Sequence, residues 1–406
     1  MTTLDAAARA RRCFSDGEAE LLLALRHDLH QHPELSWKEQ QTASRLQETL
    51  ASIGALDVQS VAGTGVTARI PGLHAHGPVT ALRGDIDALP IQEATGVPWA
   101  STVAGVMHAC GHDVHATWTV GAAMLLARQP ALGDVRLVLQ PAEEVGAGAP
   151  AMLASGALDG VRAIYGGHVD RRFPVGQVVA EAGALAASAD TFSITVHGRG
   201  AHGARPHESA DPIVAASAII TGLQTIVARR LDPAAAAVVT VGTVHGGTAP
   251  NVIPESVTLT GTLRAMLPGV RAALHREVQQ LSMSIAEAYG ATASVTMDHG
   301  TPPVVNPVRE AEWARQASTR ILGNDGVVPF GIVNMAGEDF AFYLEQIPGA
   351  FLRIGAREPE GEVTAAHNPR FLPSDECIFV GAAVLAECAR VAAEELMRAG
   401  DPTPAR

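Results

Sequence analysis

Nine residues, Met107-His108-Ala109-Cys110-Gly111-His112-Asp113-Val114-His115, hold three histidines, a cysteine and an aspartate. Side chains two apart in an extended or turning segment lie on one side, so Cys110 and His112 can face a common ion. Thiolate plus imidazole is a borderline-soft pair, suited to zinc or a neighbouring transition metal. One Cys-x-His is half a site at most. The same residues also fit a buried cysteine beside a helix N-terminus, where the dipole favours Asp113. Glu143-Glu144 follows an apolar run and precedes a glycine-rich turn, a setting in which one carboxylate can bind metal while the other faces substrate. His168 comes after Gly166-Gly167, where glycine admits a close backbone approach. His367 has no local signal and reads from its neighbours as a surface histidine.

The elements that must position these residues alternate. Leucines at helical spacing mark Glu18–His30, and a second helix spans Ser36–Leu50. Short apolar strands are expected at Val79–Arg83, Val135–Leu139 and Val161–Tyr165, with helices at Ala116–Ala127 and Ala149–Leu153 between them. Such alternation indicates an α/β domain with a mostly parallel sheet and helices on both faces. Asp85/Asp87, Glu143/Glu144 and His168/Asp170 then fall at strand carboxyl ends, the rim where open sheets bind ligands. From about residue 186 the pattern changes to strand Thr191–His197, a helix from Asp211-Pro212 to Arg230, strands Val238–Val244 and Ser256–Leu263, a helix Val270–Tyr289 and strand Ala293–Met297. That β-α-β-β-α-β order is the ferredoxin-like unit. We therefore expect a discontinuous catalytic domain, 1–185 and 299–406, with an inserted lid and dimerisation domain at 186–298. The long helix Ile378–Met397 ends the chain's pattern.

Composition narrows the classes. The 406 residues are long for one domain, and 47% hydrophobic against 17% charged residues provides a core rather than disorder. A formal charge of −13 argues against nucleic-acid or anionic-membrane partners. Four cysteines without paired spacing suggest a reduced, cytoplasmic protein. The first twenty residues lack an apolar h-region, so no signal peptide is expected, and no run approaches the length of a membrane span.

Seven ordered motifs, HACGHDVH, RGDIDALP, LVLQPAEEVGAGA, GGHVD, GRGAHGARPH, GGTAPNVIP and GEDFAFYLEQIPGAFLRIG, resemble those of the bacterial metal-dependent amidohydrolases. That family includes hippurate hydrolase, N-acyl-amino-acid amidohydrolases and the plant indole-acetyl-amino-acid hydrolases, relatives of the glutamate carboxypeptidases. The similarity runs from HDLHQHPEL to HNPRF. It implies that Cys110, His112, Glu144, His168 and His367 hold two divalent ions, zinc first, with manganese, cobalt or nickel as alternatives. It implies further that Glu143 is the general base, and that His202 reaches the site from the inserted domain of a partner in a homodimer. Asn251 and Arg264 match substrate-binding positions, and Asp87 is expected to orient a ligand histidine from behind. The substrate expected is an N-acyl-amino acid with a free carboxylate, and the small apolar stretch Ala184–Ala189 suits a modest acyl group. Two departures stand out: Ser374, where relatives often carry an acid, and Arg171-Arg172, where apolar residues or proline are common.

The rivals are few. A dipeptidase or carboxypeptidase would use the same two-metal scaffold. Gly146-Ala147-Gly148-Ala149-Pro150-Ala151 fits the dinucleotide pattern after a strand, which makes an NAD-dependent enzyme the next rival, although the preceding glutamates would repel a pyrophosphate. A catalytically silent metal-binding protein is disfavoured because Glu143 is intact. No Gly-x-Ser-x-Gly elbow and no Pro-Cys-x-x-Cys occurs, which removes serine hydrolases and zinc deaminases.

Overall fold

The computed structural model describes residues 3–400, and these divide into two compact units. The first comprises 3–183, 306–331 and 342–400. Its sheet has seven strands in the order Leu56–Val61, Gly65–Ile70, Val135–Gln140, Val79–Asp85, Val161–Pro174, Gly349–Arg357, Val178–Val179. The central four run parallel, and the flanking strands pair antiparallel. The parallel strands are buried along most of their length, which is why they read as apolar runs rather than alternating ones. Helices His112–Arg128 and Glu376–Arg398 contribute to the same core, and residues 114–126 are buried without a break.

The second unit comprises 184–305 and 332–341. Strands Asp190–His197, Ala237–Gly246, Ser256–Ala265 and Thr292–Asp298 form an antiparallel sheet ordered 237–246, 256–265, 190–197, 292–298. Helices Pro212–Thr225 and Pro268–Ala288 share one apolar cluster with that sheet. Asp211 caps the first of them, accepting from the Ile213 and Val214 amides. Continued by a π-turn, this helix runs Pro212–Arg230 and is long and apolar enough to cross a membrane by length and composition. The sequence reading saw no such run. In the fold its Ala215, Ala216, Ile219, Leu223 and Ile226 are buried in the unit's own core.

Two local expectations change. The strand beginning at Val161 continues to Pro174, because pairing with 349–357 persists with Arg353 opposite His168. His168 is therefore a strand residue, not a turn residue beyond a strand end. The segments 184–185, 299–305 and 332–341, expected in the discontinuous domain, group with the second unit.

Candidate metal centre

Four segments of the first unit supply the site; His168 comes from its strand, and the other three are bent by local devices. Gly111 has φ +94°, and a Cβ there would lie 2.6 Å from Val169 Cγ2. Only glycine makes this left-handed turn cheaply, and the helix starts at once with His112, four residues before the apolar run suggests. At the end of strand Val135–Gln140, Ala142 adopts φ +53° and Gly146 φ +64°. The Gly146 amide donates to Glu143 O at 2.7 Å, while those of Ala147 and Gly148 donate to Ala142 O at 3.3 and 3.1 Å. A Cβ at Gly148 would stand 1.7 Å from Pro141 O. The glycine-rich loop thus spends its amides on folding the glutamate turn. It has none of these left for a pyrophosphate, so the dinucleotide reading is withdrawn. His367, at φ +67°, is held by its own amide donating to Ala109 O at 2.8 Å. That bond spans most of the chain, so nothing near His367 in sequence could announce it.

The five expected ligands converge. Cys110 Sγ is 3.2 Å from His168 Nε2. His112 Nε2 lies 3.8 Å from Glu144 Oε1 and 3.9 Å from Glu143 Oε2, and His367 Nε2 lies 3.4 Å from Glu144 Oε2. Cys110, His112 and His168 form one close triad, and Cys110, Glu144 and His367 a second, so the thiol belongs to both. Asp87 stands behind them: its Oδ1 is 3.1 Å from His112 Nδ1, and its Oδ2 accepts from the Glu144 amide at 3.1 Å and the Ser36 hydroxyl at 2.7 Å. His168 Nδ1 faces Val169 O at 2.7 Å. With Nδ1–H directed at an acceptor in both histidines, each turns Nε2 to the centre, where an ion would replace any proton it carries.

Electrostatics follow from burial and crowding. Burial raises the Cys110 thiol well above its usual range, and Glu144 adds to this. Burial also drives His168 well down, with His115 and Arg353 pushing the same way. Burial opposes the charged form of His112 too, but Asp85, Cys110 and Asp87 outweigh it and carry the group well above its ordinary value. His367 is raised, chiefly by its bond to Glu144. His112 Nε2 and Glu144 Oε1 are buried without a hydrogen-bond partner. Polar atoms left unpaired in the interior are costly, and a cation that displaces the His112 proton and sits between them removes the cost. Soft thiolate, imidazole and carboxylate are also the donors that divalent transition metals take, so the residues present fit such a pair of ions.

The three residues expected to reach the site from the inserted domain belong to the second unit. His202 pairs with Val252 and is exposed, with Nδ1 accepting from the Ala204 amide at 3.0 Å. Asn251 adjoins that bridge, its carbonyl accepting from the Gly203 amide at 2.8 Å. Arg264 stands half-buried on strand Ser256–Ala265, beside Gly337. Of the two departures, Ser374 accepts the Glu376 amide at 3.3 Å, at the head of the last helix. Arg172 chelates Asp170 and lies over the Phe330 ring, while Arg171 bonds Glu362 O.

Sequence reasoning missed the supports. In sequence Asp85 is only one of a pair of acids with Asp87. It accepts from His115 Nδ1 at 2.6 Å and from Arg83 at 2.6 Å, and His115 Nε2 in turn accepts the Val169 amide at 3.0 Å. Both His115 nitrogens are thereby occupied, so the third histidine of the motif fixes the strand of His168 and is no ligand. The sequence pattern places Ser36 and Glu39 in a helix, whereas the helix begins at Gln40.

Comparisons with known proteins point to one family. The sequence profile of Peptidase family M20/M25/M40 matches residues 81–391. An N-acetylcysteine deacetylase of Bacillus subtilis is 41% identical over 379 residues, which cover 92% of this chain and 97% of the relative. An IAA-amino acid hydrolase of Arabidopsis thaliana is 39% identical over 91% of this chain and 86% of its own. A crystal structure from Bacillus subtilis, described as a dinuclear metal binding peptidase from the M20 family, superposes with a TM-score of 0.83 at 38% identity, covering 94% of this chain and 99% of that one.

Proposed function

The chain belongs to Peptidase family M20/M25/M40 and is a metal-dependent hydrolase; from that premise we propose that it cleaves the amide bond of N-acyl-amino acids, releasing a carboxylic acid and an amino acid. The observation that carries the reading is a carboxylate, Glu143, set 3.9 Å from His112 Nε2 at the edge of two metal-ligand triads. We assign Cys110, His112, Glu144, His168 and His367 as the holders of two ions, zinc in preference to manganese, cobalt or nickel, given the thiol and three imidazoles. When bound, such ions polarise the amide carbonyl and acidify water.

Glu143 takes a proton from the attacking water and delivers it to the leaving nitrogen, so that C–O forms as C–N breaks and the amine departs neutral. Asp87 and Val169 O hold the two histidine rings in the tautomer that faces the centre. His202, whose Nδ1 accepts an amide, carries its proton on Nε2 and can donate it to the developing oxyanion. Asn251 and Arg264 bind the substrate carboxylate, a planar anion that suits a guanidinium. We further propose that the second unit acts as a lid and pairs two copies of the chain, so that His202 serves in trans. Strand Ala237–Gly246 supports the pairing, being a sheet edge with an exposed outer half. Four free thiols suit a cytoplasmic enzyme.

The peptidase alternative differs in what lies N-terminal to the scissile bond. The test compares N-acyl-amino acids, dipeptides, and the methyl esters of the N-acyl-amino acids at matched concentration, reading liberated amine. Free acids are expected to exceed their esters by at least about 100-fold in kcat/KM, since a neutral analogue leaves a buried donor unpaired. Equal cleavage of esters would remove the carboxylate recognition, and preference for dipeptides would make the enzyme a peptidase.

A further inference from the structure

Glu39 is a fully buried carboxylate 103 residues from the glutamate turn in sequence. It occupies the N-cap position of helix Gln40–Ser52 yet makes no side-chain cap bond to it. A short acid, aspartate, at that position would satisfy the helix's own first amides. Here the side chain turns inward instead. Oε1 accepts the Ala142 amide at 3.0 Å, and Oε2 accepts the Thr64 hydroxyl. Thr64 leads into Gly65, where a Cβ would press on Pro141 Cδ at 3.0 Å, so the same hairpin backs the residue before Ala142.

Ala142 is the informative partner. It is buried, it is not glycine, and it sits at φ +53°. A left-handed alanine is disfavoured unless its surroundings over-determine it. Its carbonyl is already tied to the amides of Ala147 and Gly148, and Glu39 takes the one backbone group that remains. Ala142 is joined directly to Glu143. Glu144, one residue further, has a separate anchor through its own amide on Asp87. We propose that Glu39 is a positioning residue for the general base: by accepting the Ala142 amide it holds that residue in the left-handed conformation that aims Glu143 at the substrate. The inference rests on the reading of Glu143 as the base. It concerns only this chain's residues, since the ligand cage has its own supports.

The experiment is a mutant cycle on the metal-loaded enzyme, with kcat, KM, circular dichroism and ion content measured for every variant. Glu39→Ala is expected to lower kcat at least tenfold with KM within threefold and two ions retained. Glu39→Gln can still turn its amide oxygen to the Ala142 amide, so it should keep kcat within threefold of wild type. In an Ala142→Gly background, where positive φ carries no penalty, Glu39→Ala should cost less than threefold relative to Ala142→Gly alone. Equal losses in both backgrounds, loss of ions alongside activity, or Glu39→Gln as damaging as Glu39→Ala would each overturn the assignment. If Glu39→Ala does not fold, Glu39→Asp replaces it. That side chain keeps the charge but is a methylene short of the amide, and activity at or above that of Glu39→Gln would overturn the proposal. Glu143→Gln alone reports on the premise: full turnover there overturns the reading of Glu143 and with it the positioning role, whereas lost turnover there with equal losses in the Ala142 cycle overturns the role of Glu39 only.

Discussion

At the residue scale, one thiol bears the most weight, because Cys110 belongs to both ligand triads. Cys110→Ser replaces thiolate by a hydroxyl that stays protonated and binds transition metals poorly. Elemental analysis of the purified variant is expected to find less than half the wild-type metal, with activity falling in parallel. Wild-type metal content in Cys110→Ser would remove the thiol from the cage. Burial holds the Cys110 proton well above its ordinary range, so an entering ion must displace it. Apparent metal affinity should therefore rise with pH between 6 and 9, as read by competition with a chelator. Glu143→Gln, in contrast, should keep both ions and lose about 10²–10⁴-fold in kcat, the usual worth of a general base. If that variant lost its metal and Glu144→Gln did not, the roles of the two glutamates would be exchanged.

At the element scale, helix Asp16–Gln31 is clamped to helix His112–Arg128 by buried charges. Asp113 accepts from Arg26 Nε at 3.2 Å and from His30 Nδ1 at 2.9 Å, while His30 Nε2 meets Glu93 at 3.2 Å. Burial alone would lower His30, but Asp113 and Glu93 raise it to about 9. A histidine whose folded value exceeds its unfolded one stabilises fully below about pH 6.5, and loses that contribution as pH climbs through the folded value. Urea unfolding should show wild type ahead of His30→Gln by on the order of 2–3 kcal/mol at pH 6. The gap should close above pH 9. A gap that widened with pH would mean His30 is neutral in the fold. The left-handed start of the same helix gives a second case. Gly111→Ala forces a side chain to φ +94° and against Val169. It should cost at least about 1–2 kcal/mol and displace Cys110 and His112 from register.

At the scale of the whole molecule, the proposed catalytic set is completed only if a second chain supplies His202. Sedimentation velocity is expected to find a dimer. Mixing inactive Glu143→Gln with inactive His202→Ala subunits should then restore part of the activity, because one composite site of a mixed dimer carries both intact residues. A fully active monomer, or no recovery after subunit exchange has been verified, would confine the site to one chain.

Local chemistry made much of this protein legible before folding. The apolar strands alternating with helices prescribe a parallel sheet, because a strand with no polar face must be covered on both sides. Cys110-x-His112 and Glu143-Glu144 announce metal chemistry, since donors so close in sequence are also close in space. The β-α-β-β-α-β order is equally a property of the string. What tertiary structure decided are the relations that span long stretches of chain. His367 enters through its amide on Ala109, Asp87 joins Ser36 to His112 and Glu144, Asp85 and His115 brace the strand of His168, and Glu39 reaches Ala142. The Gly146 loop misled for the same reason: its spacing matches a phosphate cradle, but the bonds its amides make depend on where Pro141 and Ala142 stand. A residue's type and spacing prescribe what it can bind. Which partner its buried polar atoms meet is set by the fold, because a group removed from water must be satisfied by whatever segment packs beside it.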